Sequence, residues 1–384
     1  MQTIKHHFKF ILLGFVSFVI VLIGATSLLV HSISSRVFVV VTPVEYQTFQ
    51  RDWKNNNASI PIEVDGVGFG DSFSLQVKWL NDSWIPVRVT KIQQPCAETL
   101  KLVSAAPDGS SCSRYQGSLP DRPAGQSTLS VRLDDWWSLL WSANSEVSVE
   151  HVGIGDVFLL AGQSNSVGVA DNFQEYQSTR YIATMFSRTG NWMEMDDNVL
   201  TDQRSLDITA TDIKGSPWPL LGTLIMHYTN VPVAFIPTGL GGQPISLWAA
   251  NGVLYQFMVN QTRHSGIQPV MILWIQGETE GIEGMLFDEY RNDLVKRVYA
   301  DLHLRMMIAD LGELTRSDVN NANVAQIRHA IESVWADNPL VYRGPSLADI
   351  PLTDHRHFRT DAEVKQFAQR WFDSLLAVGL PAQQ

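Results

Sequence analysis

The sequence predicts an α/β protein whose parallel sheet is preceded by a small antiparallel β domain and by an N-terminal membrane segment. Three observations lead to this fold class. Residues 10–30 carry no charge, residues 36–150 hold short runs of alternating apolar and polar side chains, and residues from 156 onward hold apolar runs separated by helical patterns. These patterns are typical of a membrane-spanning helix, of antiparallel strands, and of parallel strands joined by helices. We therefore predict three parts, at residues 1–35, 36–150 and 151–384.

The uncharged stretch from Phe10 to Val30 is long enough to cross a bilayer as a helix. Lys5 and Lys9 precede it, so the positive-inside rule places the N-terminus in the cytoplasm and the rest of the chain in the periplasm or outside the cell. The alternative is a secretory signal peptide that is cleaved near Ala25. The apolar run exceeds the usual signal core and shows no clear cleavage motif, which favours the single-pass membrane anchor. Both interpretations export the globular part.

The composition is that of a folded, acidic protein. Of the 384 residues, 45% are apolar and 17% are charged, and the formal net charge is −11. This charge argues against nucleic acid as a partner, because phosphate binding requires a basic face. Twelve tryptophans favour a carbohydrate partner mildly, since exposed indole rings stack on sugars.

The region of residues 36–150 predicts a small β-sandwich. Its period-two runs, which glycine and Asn-Asp turns punctuate, are Ile60–Val64, Phe73–Trp79, Trp84–Val89, Ser127–Leu133 and Glu146–Val152. The two cysteines of the chain, Cys96 and Cys112, lie in this region, and in an exported protein they predict one disulfide bond. Neither has a nearby histidine or a second cysteine at metal-ligand spacing, so no metal site is predicted.

The region from Asp156 onward predicts a parallel sheet with covering helices. The predicted strands are Val157–Ala161, Val233–Pro237, Val270–Ile275, Leu304–Ala309 and Val341–Leu347. The predicted helices are Leu220–Tyr228, Phe287–Leu302, Asn323–Ala336 and Asp361–Val378. The last helix begins at a capping box, with Thr360 as the N-cap and Glu363 three residues later.

Polar loops follow four of these strands. Ser164 follows the first strand, residues 239–243 the second, residues 276–280 the third, and residues 354–357 the last. Because ligands of open α/β sheets bind beyond the carboxyl ends of the strands, these loops predict a single site at one edge of the sheet.

The residue types in the loops are those of a serine hydrolase. A serine hydroxyl becomes a good nucleophile only when a base accepts its proton, and the base needs a partner that holds its tautomer. We predict Ser164 as the nucleophile, His357 as the base and Asp354, three residues before the histidine, as the orienting acid.

An oxyanion at the same site needs hydrogen-bond donors. The predicted donors are the backbone N–H of the nucleophile, the N–H of Gly242 or its neighbour Gly241, and the side-chain amide of Gln276. A competing interpretation takes Glu278 and Glu280 as the carboxylate pair of a glycoside hydrolase, but it leaves the serine and the histidine without a role.

The block Gly155–Asn165 resembles the nucleophile block of the SGNH hydrolase superfamily, and in particular that of the sialate O-acetylesterase-like carbohydrate esterases. Further matching segments are Tyr46–Asp52, Trp218–Gly222, Gly241–Gly242 with Ile245 and Trp248, Leu273–Thr279, and the Asp354…His357 block. The resemblance covers most of residues 45–375. Two positions depart from the family pattern: Ile275 stands where a histidine is usual, and Gln243 where a threonine is frequent. Both bear on the shape of the substrate pocket.

The resemblance implies a flavodoxin-like SGNH hydrolase domain of three α/β/α layers that needs no metal and no other cofactor. It implies release of acetyl groups from sugar hydroxyls through an acetyl-enzyme. By match to the family motifs, Ser164 is the nucleophile, Asp354 and His357 complete the triad, and Gly242 and Gln276 contribute to the oxyanion hole.

We therefore predict a membrane-anchored serine esterase that removes acetyl groups from a glycan or glycoside. Glu278 is a second choice for the orienting acid. A glycan O-acetyltransferase with the same triad is the nearest alternative activity, and a glycan-binding module with an inactive site is the alternative that is not an enzyme. The sequence leaves the sugar and the oligomeric state open.

Overall fold

The computed structural model of the protein describes residues 36–96, 111–134, 146–178, 180–202, 215–284 and 287–382, with the backbone alone at 287–292. The predicted membrane segment at residues 10–30 and its orientation lie outside these residues. Among the described residues, no helix is both long and apolar enough to span a membrane.

The chain divides into two compact units, and each unit consists of more than one segment. Of the described residues, those within 36–43, 59–120 and 129–149 form the first unit, and those within 44–58, 121–128 and 150–382 form the second. The predicted boundary at residues 150–151 lies at the start of the last segment. The two short earlier segments of the second unit do not stand out in the sequence, because their strand patterns resemble those of their neighbours.

The first unit is built from antiparallel strands. These strands are β1 (Val37–Thr42), β3 (Asn57–Val67), β4 (Ser72–Trp79), β5 (Ile85–Ile92), β6 (Ser113–Pro123) and β7 (Gly125–Leu133). In β4, Leu75, Val77 and Trp79 are fully buried while Lys78 is exposed, which is the period-two pattern of a strand with one face in the core. The order β1-β3-β6-β5-β4-β7 is one hydrogen-bonded path. The predicted packing of these strands as a two-sheet sandwich stays a prediction.

A disulfide bond joins Cys96 and Cys112 in the first unit. The two cysteines lie between β5 and β6, and 16 positions separate them. The predicted disulfide bond is confirmed.

The second unit contains a mostly parallel sheet, so the predicted mixed α/β fold is confirmed. Its strands are β2 (Thr48–Gln50), β8 (Glu146–Gly162), β9 (Thr184–Phe186), β10 (Trp192–Glu194), β11 (Val233–Pro237), β12 (Met271–Ile275), β13 (Met306–Ile308) and β14 (Val341–Arg343). The parallel order is β11-β8-β12-β13-β14, with β9 beside β11 and β10 antiparallel to β9. Phe158 of β8 pairs with Phe235 on one side and with Met271 on the other. The chain order reverses at β8, and ligands of doubly wound sheets bind at such a switch point.

The helices of the second unit are α1 (Ser164–Val167), α2 (Asp197–Leu200), α3 (Trp218–Thr229), α4 (Val253–His264), α5 (Glu278–Glu283), α6 (Phe287–Leu302), α7 (Asn321–Asp337) and α8 (Asp361–Ala377). The capping box at α8 is confirmed, because the Thr360 hydroxyl accepts from the Glu363 N–H while the Glu363 carboxylate accepts from the Thr360 N–H. In the core, Trp218 of α3 packs against Trp371 of α8 with ring centroids 5.9 Å apart. The short helix α5, which carries part of the site, has no counterpart among the predicted helices.

A buried ion pair fixes the segment Val44–Ala58 within the second unit. Both Arg51 and Asp156 are almost fully buried, and the guanidinium donates two hydrogen bonds of 2.8 Å to the carboxylate. The indole N–H of Trp53 donates a third, also at 2.8 Å. Because a buried charge is tolerated only when it is paired, this contact ties the segment to the first strand of the parallel sheet.

Candidate active site

The turn that presents Ser164 depends on a glycine at the end of β8. Gly162 has a φ of +122°, and a side chain there would approach the Ile275 carbonyl oxygen of β12 to within 1.9 Å. Glycine is therefore required where the strand turns into α1. Ser164 is the first residue of α1 and is 5% exposed. No acceptor for its backbone N–H is found in the described part of the chain.

Ser164, His357 and Asp354 form a continuous hydrogen-bonded chain. The Oγ of Ser164 lies 3.1 Å from Nε2 of His357, and the Nδ1 of His357 lies 2.9 Å from Oδ2 of Asp354. The three residues come from the carboxyl edge of the sheet, at the end of β8 and in the loop between β14 and α8. The structure thus brings together the three residues that the sequence predicted as a triad, in the order that proton transfer requires.

The Asp354 carboxylate is held by backbone as well as by the imidazole ring. Its Oδ1 accepts the N–H of His357 at 2.6 Å and the N–H of Arg356 at 2.9 Å. Burial by itself raises the pKa of Asp354, but the hydrogen bonds from the ring and the backbone of His357 outweigh it and bring the pKa down to about 2. Asp354 is therefore a carboxylate at any pH where an imidazole is neutral.

Glu278, the second choice for the orienting acid, is placed differently. It is fully buried at the first position of α5, and its carboxylate accepts the side-chain amides of Asn165, at 2.7 Å, and of Gln163. Burial raises the pKa of Glu278, and the hydrogen bond from Asn165 lowers it in part. In the structure, Nδ1 of His357 therefore lies against the Asp354 carboxylate, whereas the Glu278 carboxylate accepts from the amides of Asn165 and Gln163.

Asn165 is a further residue of the site, and none of the predicted roles falls on it. Besides its bond to Glu278, its amide donates to the carbonyl of Arg356 at 3.2 Å, and its Oδ1 lies 3.5 Å from the N–H of Phe358. These two backbone groups flank His357. Asn165 therefore links the nucleophile turn to the loop that carries the base, and its position directly after Ser164 in the motif was the available signal.

The loop after β11 carries the predicted backbone donor. Gly242 has a φ of +69°, is exposed, and has nothing within 4 Å of the place where a Cβ would stand. Its N–H has no acceptor among the residues that the structure describes. The loop is joined to the nucleophile strand by the bond from the Leu240 N–H to the Gly162 carbonyl, at 2.9 Å.

Gln276, the third predicted oxyanion donor, uses its amide elsewhere. The residue is fully buried, and Nε2 donates to the Gln243 carbonyl at 2.9 Å and to Oε2 of Glu280 at 3.1 Å. The sequence could show that Gln276 follows β12 but not which way its side chain turns. In the structure, its contacts are to the loop after β11 rather than to Ser164.

Trp192, Trp218 and Trp248 are buried in the core of the second unit. Trp218 and Trp248 are at most 1% exposed, and Trp192 is 8% exposed. The indole N–H of Trp218 donates to the Ser166 carbonyl at 2.8 Å, which fastens α1 from behind. In this structure, these rings pack within the protein instead of presenting a face to a sugar.

One group of side chains in the described residues has the composition of a cation site. Ligand atoms of Glu45, Glu150 and His151 lie within 4.8 Å of one another. Both carboxylates are exposed, and Glu45 accepts a contact of 3.3 Å from Nδ1 of His151. Exposed acidic groups of this kind are common at protein surfaces without an ion.

The sequence of residues 154–377 matches the family described as carbohydrate esterase, sialic acid-specific acetylesterase. A curated relative, a probable carbohydrate esterase of Arabidopsis thaliana, is 23% identical over 172 residues, which amount to 38% of this chain and 64% of the relative. The chain thus spans less than two thirds of the length of this relative.

Two solved structures are similar to this chain in part. The X-ray structure of a protein from Arabidopsis thaliana has a TM-score of 0.47 and 19% identity, over 58% of this chain and 98% of its own. The crystal structure of a carbohydrate acetylesterase from Xanthomonas citri has a TM-score of 0.49 and 15% identity, over 89% of this chain and 75% of its own.

Proposed function

This chain belongs to the sialic acid-specific acetylesterase family of carbohydrate esterases, and we propose that it is a serine esterase that removes O-acetyl groups from a carbohydrate. The observation that carries the proposal is the hydrogen-bonded chain from Ser164 through His357 to Asp354, with distances of 3.1 and 2.9 Å. These distances lie within hydrogen-bond reach for proton transfer from a nucleophile to its base.

In the proposed first half-reaction, the Ser164 hydroxyl attacks the acetyl carbonyl and its proton passes to Nε2 of His357. The ionised carboxylate of Asp354 keeps a proton on Nδ1, so Nε2 is free to accept, and it stabilises the imidazolium that forms. The tetrahedral intermediate collapses, the imidazolium protonates the departing sugar oxygen, and the acetyl group stays on Ser164.

In the second half-reaction, His357 removes a proton from water, and the resulting nucleophile attacks the acetyl-enzyme. Collapse of the second tetrahedral intermediate releases acetate, and Ser164 recovers its proton from the imidazolium. The N–H groups of Ser164 and Gly242 are the proposed donors for both oxyanions, which is supported by the lack of other acceptors for them in the described residues.

The proposed fold is the flavodoxin-like α/β/α arrangement of SGNH hydrolases. It is supported by the strand order β11-β8-β12-β13-β14, since flavodoxin-like sheets have the order 2-1-3-4-5. The proposed substrate is an O-acetylated glycan or glycoside, sialate included. The support is the family to which the chain belongs.

The proposed location is outside the cytoplasm, with the chain held in the membrane through residues 10–30. This rests on the uncharged stretch and on the lysines that precede it. Membrane fractions of expressing cells, washed with alkaline carbonate, test it. Retention of the full-length chain in the membrane is expected, and release of the chain into the wash contradicts the anchor.

The function is tested by acetate release from 4-nitrophenyl acetate, O-acetylated sialic acid and an acetylated polysaccharide. Full-length wild type in detergent is compared with Ser164→Ala and with the control Ser374→Ala, which changes a serine on α8. Loss of the nucleophile is expected to lower turnover roughly 10⁴–10⁶-fold, whereas the control keeps wild-type turnover. A folded wild-type protein that is as inert as Ser164→Ala on all three esters refutes the esterase.

A further inference from the structure

Glu280 is a buried carboxyl group on the first turn of α5 that the proposed reaction does not use. It is fully buried, and it lies two residues after Glu278 on the same short helix. Its Oε1 accepts the N–H of Ile245 at 2.6 Å. Burying a carboxyl group away from water costs free energy unless the group is hydrogen-bonded, so its presence here indicates a structural or functional role.

The partner of Glu280 is the loop that carries Gly242. Ile245 is the first residue of the 3₁₀ turn Ile245–Trp248, which follows that loop directly. The side-chain amide of Gln276 joins the loop to Glu280. Its Nε2 donates to the Gln243 carbonyl at 2.9 Å and to Oε2 of Glu280 at 3.1 Å. Two backbone groups on the C-terminal side of Gly242 are thereby held by side chains from the end of β12 and from α5.

Side chains also hold the loop before Gly242: the guanidinium of Arg188 donates to the Gly239 carbonyl at 2.5 Å, and the Gln243 side-chain amide donates to the Gly241 carbonyl at 3.3 Å. Gly241 and Gly242 have no side chains to pack, and glycine is the residue whose backbone is least restricted. On the N-terminal side, the Leu240 N–H bonds to the Gly162 carbonyl. On the C-terminal side, the bonds to the Gln243 carbonyl and the Ile245 N–H hold the peptide groups that follow Gly242.

We propose that Glu280 is a positioning residue for the oxyanion side of the site, because its carboxylate fixes the position of the Gly242 N–H. One oxygen holds the Ile245 N–H directly, and the other holds the Gln276 amide, which in turn holds the Gln243 carbonyl. The inference rests on the proposed function for the role of Gly242, but the positioning of the loop can be measured without any substrate.

Both side-chain oxygens of Glu280 act as hydrogen-bond acceptors, Oε1 for the Ile245 N–H and Oε2 for the Gln276 amide. In Glu280→Gln, one side-chain atom can still accept the Ile245 N–H, but the other becomes an NH₂ that faces the NH₂ of Gln276. Turning the Gln276 amide relieves the conflict and loses the bond to the Gln243 carbonyl, whereas turning the new amide loses the bond to Ile245. An isosteric change therefore releases the loop on one side without creating a cavity.

The experiment compares full-length wild type, Glu280→Gln and the control Glu283→Gln, an exposed acid at the end of the same helix. Active sites are counted by fluorophosphonate labelling of Ser164, and kcat on 4-nitrophenyl acetate is expressed per labelled site. A loss of oxyanion stabilisation is expected to lower kcat of Glu280→Gln about 10²-fold while KM changes little. The inhibition constant of phenylboronic acid, whose serine adduct is tetrahedral, is expected to weaken with kcat.

Hydrogen–deuterium exchange of the peptide that covers residues 240–248 is the readout that does not need activity. Faster exchange in Glu280→Gln than in wild type is expected, with no change in Glu283→Gln. A role in folding alone would lower the labelled fraction and leave kcat per labelled site unchanged. Gln276→Met, which removes the bond to the Gln243 carbonyl, is the second variant, and it is expected to speed exchange of the same peptide.

The two ideas fail in different ways. Unchanged exchange in both variants, with kcat per site within about threefold of wild type, overturns the positioning role and leaves the esterase intact. A wild-type protein without esterase activity refutes the proposed function, and the exchange data then still decide whether Glu280 fixes the loop.

Discussion

Asp354→Asn is the substitution that tests the triad geometry most directly. The Oδ1 of Asp354 accepts two backbone N–H groups, from His357 at 2.6 Å and from Arg356 at 2.9 Å. An asparagine has one acceptor oxygen, and these two donors will hold it where Oδ1 now lies. Its NH₂ group must then face Nδ1 of His357, where the carboxylate oxygen now lies at 2.9 Å.

The magnitude follows from the tautomer that this arrangement imposes. A donor beside Nδ1 requires Nδ1 to be the acceptor, so the ring proton moves to Nε2, which faces Oγ of Ser164 at 3.1 Å. The base then cannot take the serine proton. A change of this kind in a serine–histidine–aspartate triad lowers kcat about 10⁴-fold, which corresponds to about 5 kcal/mol of transition-state stabilisation.

The assay is hydrolysis of 4-nitrophenyl acetate at pH 7 by full-length wild type, Asp354→Asn, Glu278→Gln and the control Asp349→Asn. Asp349 is an exposed partner of Arg370, so its substitution is expected to leave kcat unchanged. A folded Asp354→Asn variant that keeps more than about a tenth of wild-type kcat refutes the tautomer argument. A larger loss in Glu278→Gln than in Asp354→Asn would instead make Glu278 the orienting acid.

Three further outcomes follow from the structure. The pKa of the Asp354 carboxyl group is lowered to about 2 in the folded protein. Its ionised form therefore contributes about 2 kcal/mol to the free energy of unfolding, a contribution that is complete above the unfolded pKa and is lost as the pH falls through about 2. Urea titrations at several pH values check this, and an acid limb of kcat/KM near pH 4 that disappears in Asp354→Asn contradicts it. Arg51→Leu leaves the Asp156 carboxylate buried without its cation and is expected to lower the free energy of unfolding by about 3–5 kcal/mol, measured in urea; a loss below about 1 kcal/mol contradicts the argument. Replacing both Cys96 and Cys112 by serine opens a loop of 16 positions and is expected to cost the first unit about 3 kcal/mol, and an unchanged urea midpoint for that unit argues against the bond.

The parallel sheet, and the three residues that form the hydrogen-bonded chain at its edge, were predictable from local patterns. A short apolar run such as Val157–Ala161, followed at once by small and polar residues, identifies a buried strand and the loop at its end. The three-residue spacing of Asp354 and His357 lets one turn present both side chains, whatever the rest of the fold does. The rule that ligands bind at the carboxyl ends of parallel strands then predicts that these residues lie together.

The contacts that decide between competing roles were not predictable, because they depend on the direction of side chains from distant segments. Nothing in the sequence shows that Gln276 turns toward Gln243 and Glu280, or that Glu278 meets Asn165 and not the imidazole of His357. Such choices depend on which buried polar group finds its partner once water is excluded. That condition exists only after the chain has folded.

The sequence by itself therefore determined the kind of fold and the types of residue at the sheet edge, since strand burial, loop chemistry and family motifs are local properties. Only the tertiary structure decided which acid faces His357 and which side chains hold the loop of Gly242. It also placed the segment Val44–Ala58 in the second unit, where Arg51 pairs with Asp156. The physical reason is the same in each case: a hydrogen bond or ion pair between residues far apart in sequence has no local signal, and its partner is set by packing.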